Sequence, residues 1–191
     1  MRRDTLRDPA GFTLHELVLA IAIIFIIVGM AIPLTMTVSE QMRLEGARRE
    51  VERELQTARL KAVSANRSLR LRFGCPAAGQ FRIVQVMGTA VDTAANRCNE
   101  TAYPSPSPSD GDPTTPDYDG PVRFVRPGTT LTGTGGGGAL TGFEFSSTGT
   151  VREISGGSVR VIQPGGVNLT LTRGTRTATI NVNGIGRIRI Q

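Results

Sequence analysis

The chain is predicted to be α+β, a long N-terminal α-helix packed on an antiparallel β-sheet head, and three observations predict it. Residues 12–32 form a nearly unbroken apolar run. Apolar residues then recur three and four apart as far as Ala65, the repeat of one helix face. After residue 68 the chain turns to short alternating segments separated by Gly, Pro and Asn, the pattern of strands and tight turns.

With 191 residues there is room for one domain plus an anchor, since a single core takes roughly 100–200 residues. The net charge of +6 resides mainly in residues 39–72 and 143–191, and of 22 basic residues only Lys61 is a lysine. Arginine is the better bidentate partner for phosphate and carboxylate, although a GC-rich codon bias produces the same composition.

The leader, residues 1–11, sets Arg2, Arg3 and Arg7 against Asp4 and Asp8. In an ordinary secretory signal the cleavage site follows the apolar stretch, whereas here the small residue Gly11 precedes it, so cleavage would leave the apolar helix on the mature chain. The segment 12–33 is read as a transmembrane or filament-core helix. Its 21 residues from 12 to 32 make about 30 Å of helix, the thickness of a hydrocarbon core. Arginines before it favour a cytoplasmic N-terminus in a single membrane pass, with the head then facing the periplasm.

Glu16 is out of place in such a helix. A carboxylate costs about 2.5 kcal/mol or more at the bilayer centre and less near the interface, so it needs a partner. One reading gives it the α-amino group of Phe12, freed by cleavage after Gly11, on a neighbouring subunit. The other leaves it at the interface, favoured by the helix macrodipole. Pro33 removes a helix hydrogen bond and is expected to bend the helix.

These residues carry a resemblance. Gly11-Phe12-Thr13-Leu14-His15-Glu16-Leu17 resembles the type IV prepilin signature, in which Gly is followed by Phe-Thr-Leu-x-Glu-Leu. The resemblance implies that a prepilin peptidase cuts between Gly11 and Phe12 and methylates the new Phe12 amine, and that Glu16 guides assembly through an intersubunit salt bridge. Pro33 matches the proline at which many pilin helices kink. His15, the only histidine, departs from the apolar residue usual there.

The amphipathic half, 34–67, carries one apolar stripe through Leu44, Ala47, Val51, Leu55, Ala58, Ala62 and Ala65, suited to close packing on a sheet. Its other faces alternate Glu and Arg at helical spacing. Within it, Leu55-Gln56-x-Ala58-Arg59-x-x-Ala62 followed by Asn66 resembles the GspH/FimT family, which holds the minor pseudopilin H of type II secretion and the FimT minor pilin. That implies a pilin-like fold, a non-enzymatic minor subunit, and as partners other pilins or pseudopilins and the inner-membrane assembly platform.

The head, 68–191, is read as a β-rich sheet interrupted by a flexible loop, 101–121, dense in Pro, Ser and Asp. Residues 135–138, four glycines, read as a second slack point. Cys75 and Cys98 are expected to pair in an oxidising compartment, closing a loop worth ~3 kcal/mol; the alternative is two separately buried thiols. Asp110, Asp112, Asp117 and Asp119 lack a calcium-loop spacing, so no metal is expected. With no nucleophile–base pair either, the sequence argues against an enzyme and against a cofactor.

In the tail, Gly186-Arg187-Ile188-Arg189 resembles the Gly-Arg-x-Arg ending of FimT proteins that bind DNA during natural transformation. Alternation sets Arg187 and Arg189 on one face, and Arg173 and Arg176 are read as extending the stripe, with DNA as the alternative partner. Solvated sheet edges also carry arginines, and the same ending occurs among secretion-type relatives.

Overall fold

A computed structural model describes residues 11, 13–107 and 115–191, without the side chains of 30–34. The chain divides into two compact units, Met1–Glu40 and Gln41–Gln191.

Helix α1 runs Leu14–Ser64, without interruption in its assignment at residue 33. The bend expected at Pro33 falls among the residues whose side chains lie outside the description. Its C-terminal end follows from the sequence. Asn66 takes a positive φ of 50°, and the N–H groups of Asn66 and Arg67 donate to the carbonyls of Val63 and Ala62. This is the paired bonding by which an αL residue closes a helix, and Asn is the non-glycine residue that tolerates it best.

Among the described residues ten strands follow: β1 (Leu69–Phe73), β2 (Gln80–Gln85), β3 (Arg123–Phe124), β4 (Thr130–Gly135), β5 (Gly138–Phe145), β6 (Val151–Ser155), β7 (Ser158–Val161), β8 (Val167–Arg173), β9 (Arg176–Val182) and β10 (Ile188–Ile190). They pair in the order β10-β9-β8-β4-β5-β1-β2-β3, and β6 adds to β5 and β7 to β6. Every pairing is antiparallel. The architecture is α+β, as the sequence predicts.

Leu44, Ala47, Val51, Leu55, Ala58 and Ala62 are buried in one cluster with Leu69, Leu71, Phe143, Phe145, Leu169 and Ile180 of the sheet. The small Ala and Val residues of the stripe bring the helix axis close to the sheet, and burying Leu55 fully is worth about 2 kcal/mol.

Of the two segments read as slack, one is fixed and the described ends of the other are held. The glycines at 135–138 form a tight β4–β5 turn closed over a buried carboxylate. Glu153 accepts Gly136 N–H at 2.6 Å and Ser155 Oγ at 2.8 Å, and Gly137 N–H donates to Ser155 Oγ at 3.1 Å. A Cβ at Gly135 would lie 2.7 Å from the Glu153 carboxylate, and one at Gly137 2.6 Å from Arg160 Nε. The glycines are there because the polar groups occupy their side-chain space.

The ends of the 101–121 segment are likewise pinned, while 108–114, with Asp110 and Asp112, lie outside the described residues. Arg82 donates from Nε to Gly120 O at 2.7 Å and from Nη2 to Tyr103 O. Arg97 bonds both oxygens of Asp119 and the Gln85 carbonyl, and lies over the Tyr103 ring at 4.7 Å. Arg82 and Arg97 are 0% and 1% exposed. Burial pulls the Arg82 guanidinium below its ordinary pKa, with Asp119 opposing the shift. Beside them, Cys75 and Cys98 are joined in a disulfide with Cα atoms 5.1 Å apart.

Candidate functional site

The residues singled out at the start of the helix lie in the first compact unit. Phe12 is outside the described residues, and Gly11 and Thr13 are exposed. Thr13 is the residue before the first helical turn, and Glu16 folds back onto it. The carboxylate accepts the Thr13 N–H and hydroxyl, each at 3.1 Å, while the Glu16 N–H points to Thr13 Oγ1 at 3.4 Å. This is a capping box, with two otherwise unpaired helix donors satisfied reciprocally. The Thr-x-x-Glu spacing signals it in the sequence, and the reading of Glu16 as needing an outside partner missed it. His15 is exposed on the same turn.

From Leu17 to Val28 the large apolar side chains of α1 are exposed, Phe25 at 73%. Among the described residues no helix is long and apolar enough to cross a membrane; the apolar run of the sequence continues into 30–34, whose side chains lie outside them.

At the other end of the chain, β10 is an edge strand, paired among the described residues to β9 alone. Arg189 stands opposite Asn181, and Ile188 opposite the buried Val182, so Arg189 projects from the outer face. Arg187 stands at the foot of the strand, its N–H donated to Asn183 Oδ1 at 2.7 Å. Both side chains are exposed, and neither makes an ion pair among the described residues.

Arg173 and Arg176 do not join them. They pair with each other at the far end of the β8–β9 hairpin, five residues or about 17 Å along β9 from Asn181. Parity along β9 puts Arg176 on the side of Ala178 and Ile180, the helix side, where it donates to Gln41 Oε1 of α1 at 3.1 Å. Arg173 donates to Pro127 O. The predicted four-arginine stripe is two separate pairs on opposite faces, because Arg189 stands opposite Asn181 and the odd separation of Asn181 from Arg176 along β9 turns Arg176 to the other side.

The outer face beside Arg189 carries a polar array instead. Asn181 and Asn168 are cross-strand partners, as are Thr179 and Thr170, and Thr132 pairs with Thr170 in turn. Asn181 Nδ2 donates to Asn168 Oδ1 at 2.8 Å.

The Gly-Arg-x-Arg tail and the helix motif meet. Arg59 donates from Nε to Gly149 O at 3.0 Å and from Nη2 to Ile185 O at 3.3 Å. Gly186 follows in the 183–187 turn with φ 83°.

The chain is similar to solved minor pilins. The type IV minor pilin FimU of Pseudomonas aeruginosa matches 80% of this chain and 90% of its own, with 15% identity and a TM-score of 0.47. The minor pseudopilin EPSH from the type II secretion system of Vibrio cholerae matches 79% of this chain and 94% of its own, with 12% identity and a TM-score of 0.46. No protein-family model and no curated protein sequence matches.

Among the described residues no group of three or more His, Cys, Asp and Glu side chains gathers to hold a metal. Asp119, one of the four aspartates weighed for calcium, is committed to Arg97.

Proposed function

We propose that the protein is a non-enzymatic minor pilin or pseudopilin, anchored by its N-terminal helix in a bacterial inner membrane with the head in the periplasm. It is then drawn into a pilus or secretion pseudopilus. The observation that carries this reading is a 51-residue helix that begins within a prepilin-type signature and exposes its apolar first half, while its distal half is buried on a sheet. Exposed apolar helix of that extent needs either lipid or other helices around it.

On this reading prepilin peptidase cuts between Gly11 and Phe12 and methylates Phe12, and the assembly platform extracts the helix. The Glu16 carboxylate exchanges its capping contacts with Thr13 for the Phe12 amine of a neighbour. Pro33 gives the helix a point of local adjustment within the filament.

Glu16→Ala tests this. The variant is expected to insert in the membrane and to be absent from sheared filaments, while Thr13→Val, which keeps the carboxylate, remains incorporated. Wild-type incorporation of Glu16→Ala overturns the reading.

A second reading, DNA uptake, is favoured by the exposed, unpaired Arg187 and Arg189 beside Asn181. Guanidiniums there suit phosphate contacts, which are salt-sensitive and indifferent to sequence. A mobility shift at low salt that disappears in the Arg187→Gln, Arg189→Gln double variant supports it. An unchanged shift removes it.

A further inference from the structure

Among the described residues, strand β7 pairs with β6 and with nothing else. All four of its residues are exposed, and none makes a backbone hydrogen bond outside that pairing among the described residues. One row of backbone donors and acceptors is therefore open to water. Natural edges of this kind are usually blunted by charge, proline or a bulge; β7 has only its brevity and Arg160.

Register fixes the two sides of this edge. Val159 lies opposite Ile154 and Val161 opposite Arg152, on the outer face, while Arg160 lies opposite the buried Glu153 on the other. Val161 is 71% exposed and Ile185, across the neighbouring turn, 73%. Between them is a depression of about 620 Å³ walled by Thr150, Ile162, Pro164 and Asn183. The edge thus combines open backbone, an apolar outer row and an adjoining hollow able to take a side chain.

The charges select the occupant. Arg152 and Arg160 make no ion pair among the described residues, and the Glu153 carboxylate is already held by Gly136 and Ser155. Pairing two copies of β7 with their apolar faces together either sets Arg160 against Arg160 or leaves every arginine at the seam without a counter-charge, and like charges directly opposite destabilise a pair. The acidic segment 101–121 of a second copy fits poorly, because its prolines cannot donate to a ladder.

We propose that β7 is a docking edge for an extended segment of a different polypeptide, added as a further strand. That segment is apolar where it faces Val159 and Val161 and acidic where it faces Arg160, with one apolar side chain in the hollow beside Ile185. Backbone bonds supply affinity in such strand addition and the alternating side chains supply selectivity.

The test uses the full chain in detergent micelles and a short capped peptide alternating valine and glutamate, with amide hydrogen exchange read residue by residue. Protection is expected at residues 158–161 alone. It is lost with a lysine-for-glutamate peptide and with a glutamate peptide N-methylated at alternate residues. In Arg160→Gln, which removes the charge without setting a second carboxylate opposite Glu153, the preference between the two charged peptides disappears while the circular dichroism is unchanged. Equal protection of the wild-type chain by both peptides, protection elsewhere, or none overturns the proposal. Protection that rises with protein concentration in the absence of peptide also overturns it, in favour of self-pairing.

Discussion

Gly186 sits so close to the Arg59 guanidinium that a Cβ added to it would overlap Nε, and on the other side the Gly149 carbonyl. Two stretches far apart in sequence, the Leu-Gln-x-Ala-Arg motif of the helix and the Gly-Arg-x-Arg tail, are one structural unit. The glycine is required twice over, by its φ of 83° and by the absence of room.

Gly186→Ala is therefore expected to destabilise the head by about 2–3 kcal/mol, combining αL strain with the clash. Urea unfolding measures it. Adding Arg59→Ala relieves part of the clash, so the double variant is less destabilised than the two single effects combined.

Asp119→Ala leaves the Arg97 guanidinium buried without its counter-charge and removes the carboxylate nearest Arg82. The expected loss is about 3–5 kcal/mol, the cost of breaking one side of a buried pair. A smaller loss than in an exposed pair such as Arg126–Glu50, 3.3 Å apart, would show that water reaches Arg97.

Replacing Cys75 and Cys98 together by serine reopens the loop they close across a separation of 23 residues. About 3 kcal/mol of stability is expected to disappear, and the reduced wild-type protein should match the variant in a urea titration.

Thr13→Val removes one half of the capping box while leaving the Glu16 side chain in place. The first turn is expected to weaken by about 1 kcal/mol, seen as faster amide exchange at residues 14–17 in micelles with no change in the head.

The helix was legible because its buried face obeys the 3.6-residue repeat. Every stripe position from Leu44 to Ala62 is buried, and only Ala65, at the helix end, is half-exposed. Most strands were legible through alternation. Strand β4 was not, because its Thr130, Thr132 and Thr134 alternate with Leu131 and two glycines and carry almost no apolar signal. The repeated β-branched threonines were the available clue. The interior position of Arg82 was hidden for a different reason. Alternation places it on the outer face with Val84, and no local pattern announces that a distant segment returns to cover that face. Register between strands, which separates Arg173 and Arg176 from Arg189, is also a long-range property.

A single guanidinium, that of Arg82, holds the carbonyls on both sides of the Pro-, Ser- and Asp-rich stretch, at Tyr103 and Gly120. The stretch is thereby closed at its base, and its returning limb is fastened to the sheet as well, Asp117 and Tyr118 donating their N–H groups to Gln85 Oε1 and Asp119 held by Arg97. Doubling such a span costs only about 0.6 kcal/mol in closure entropy, so an epitope or a small reporter domain grafted between residues 107 and 115, clear of Asp117 and Asp119, should leave the head intact.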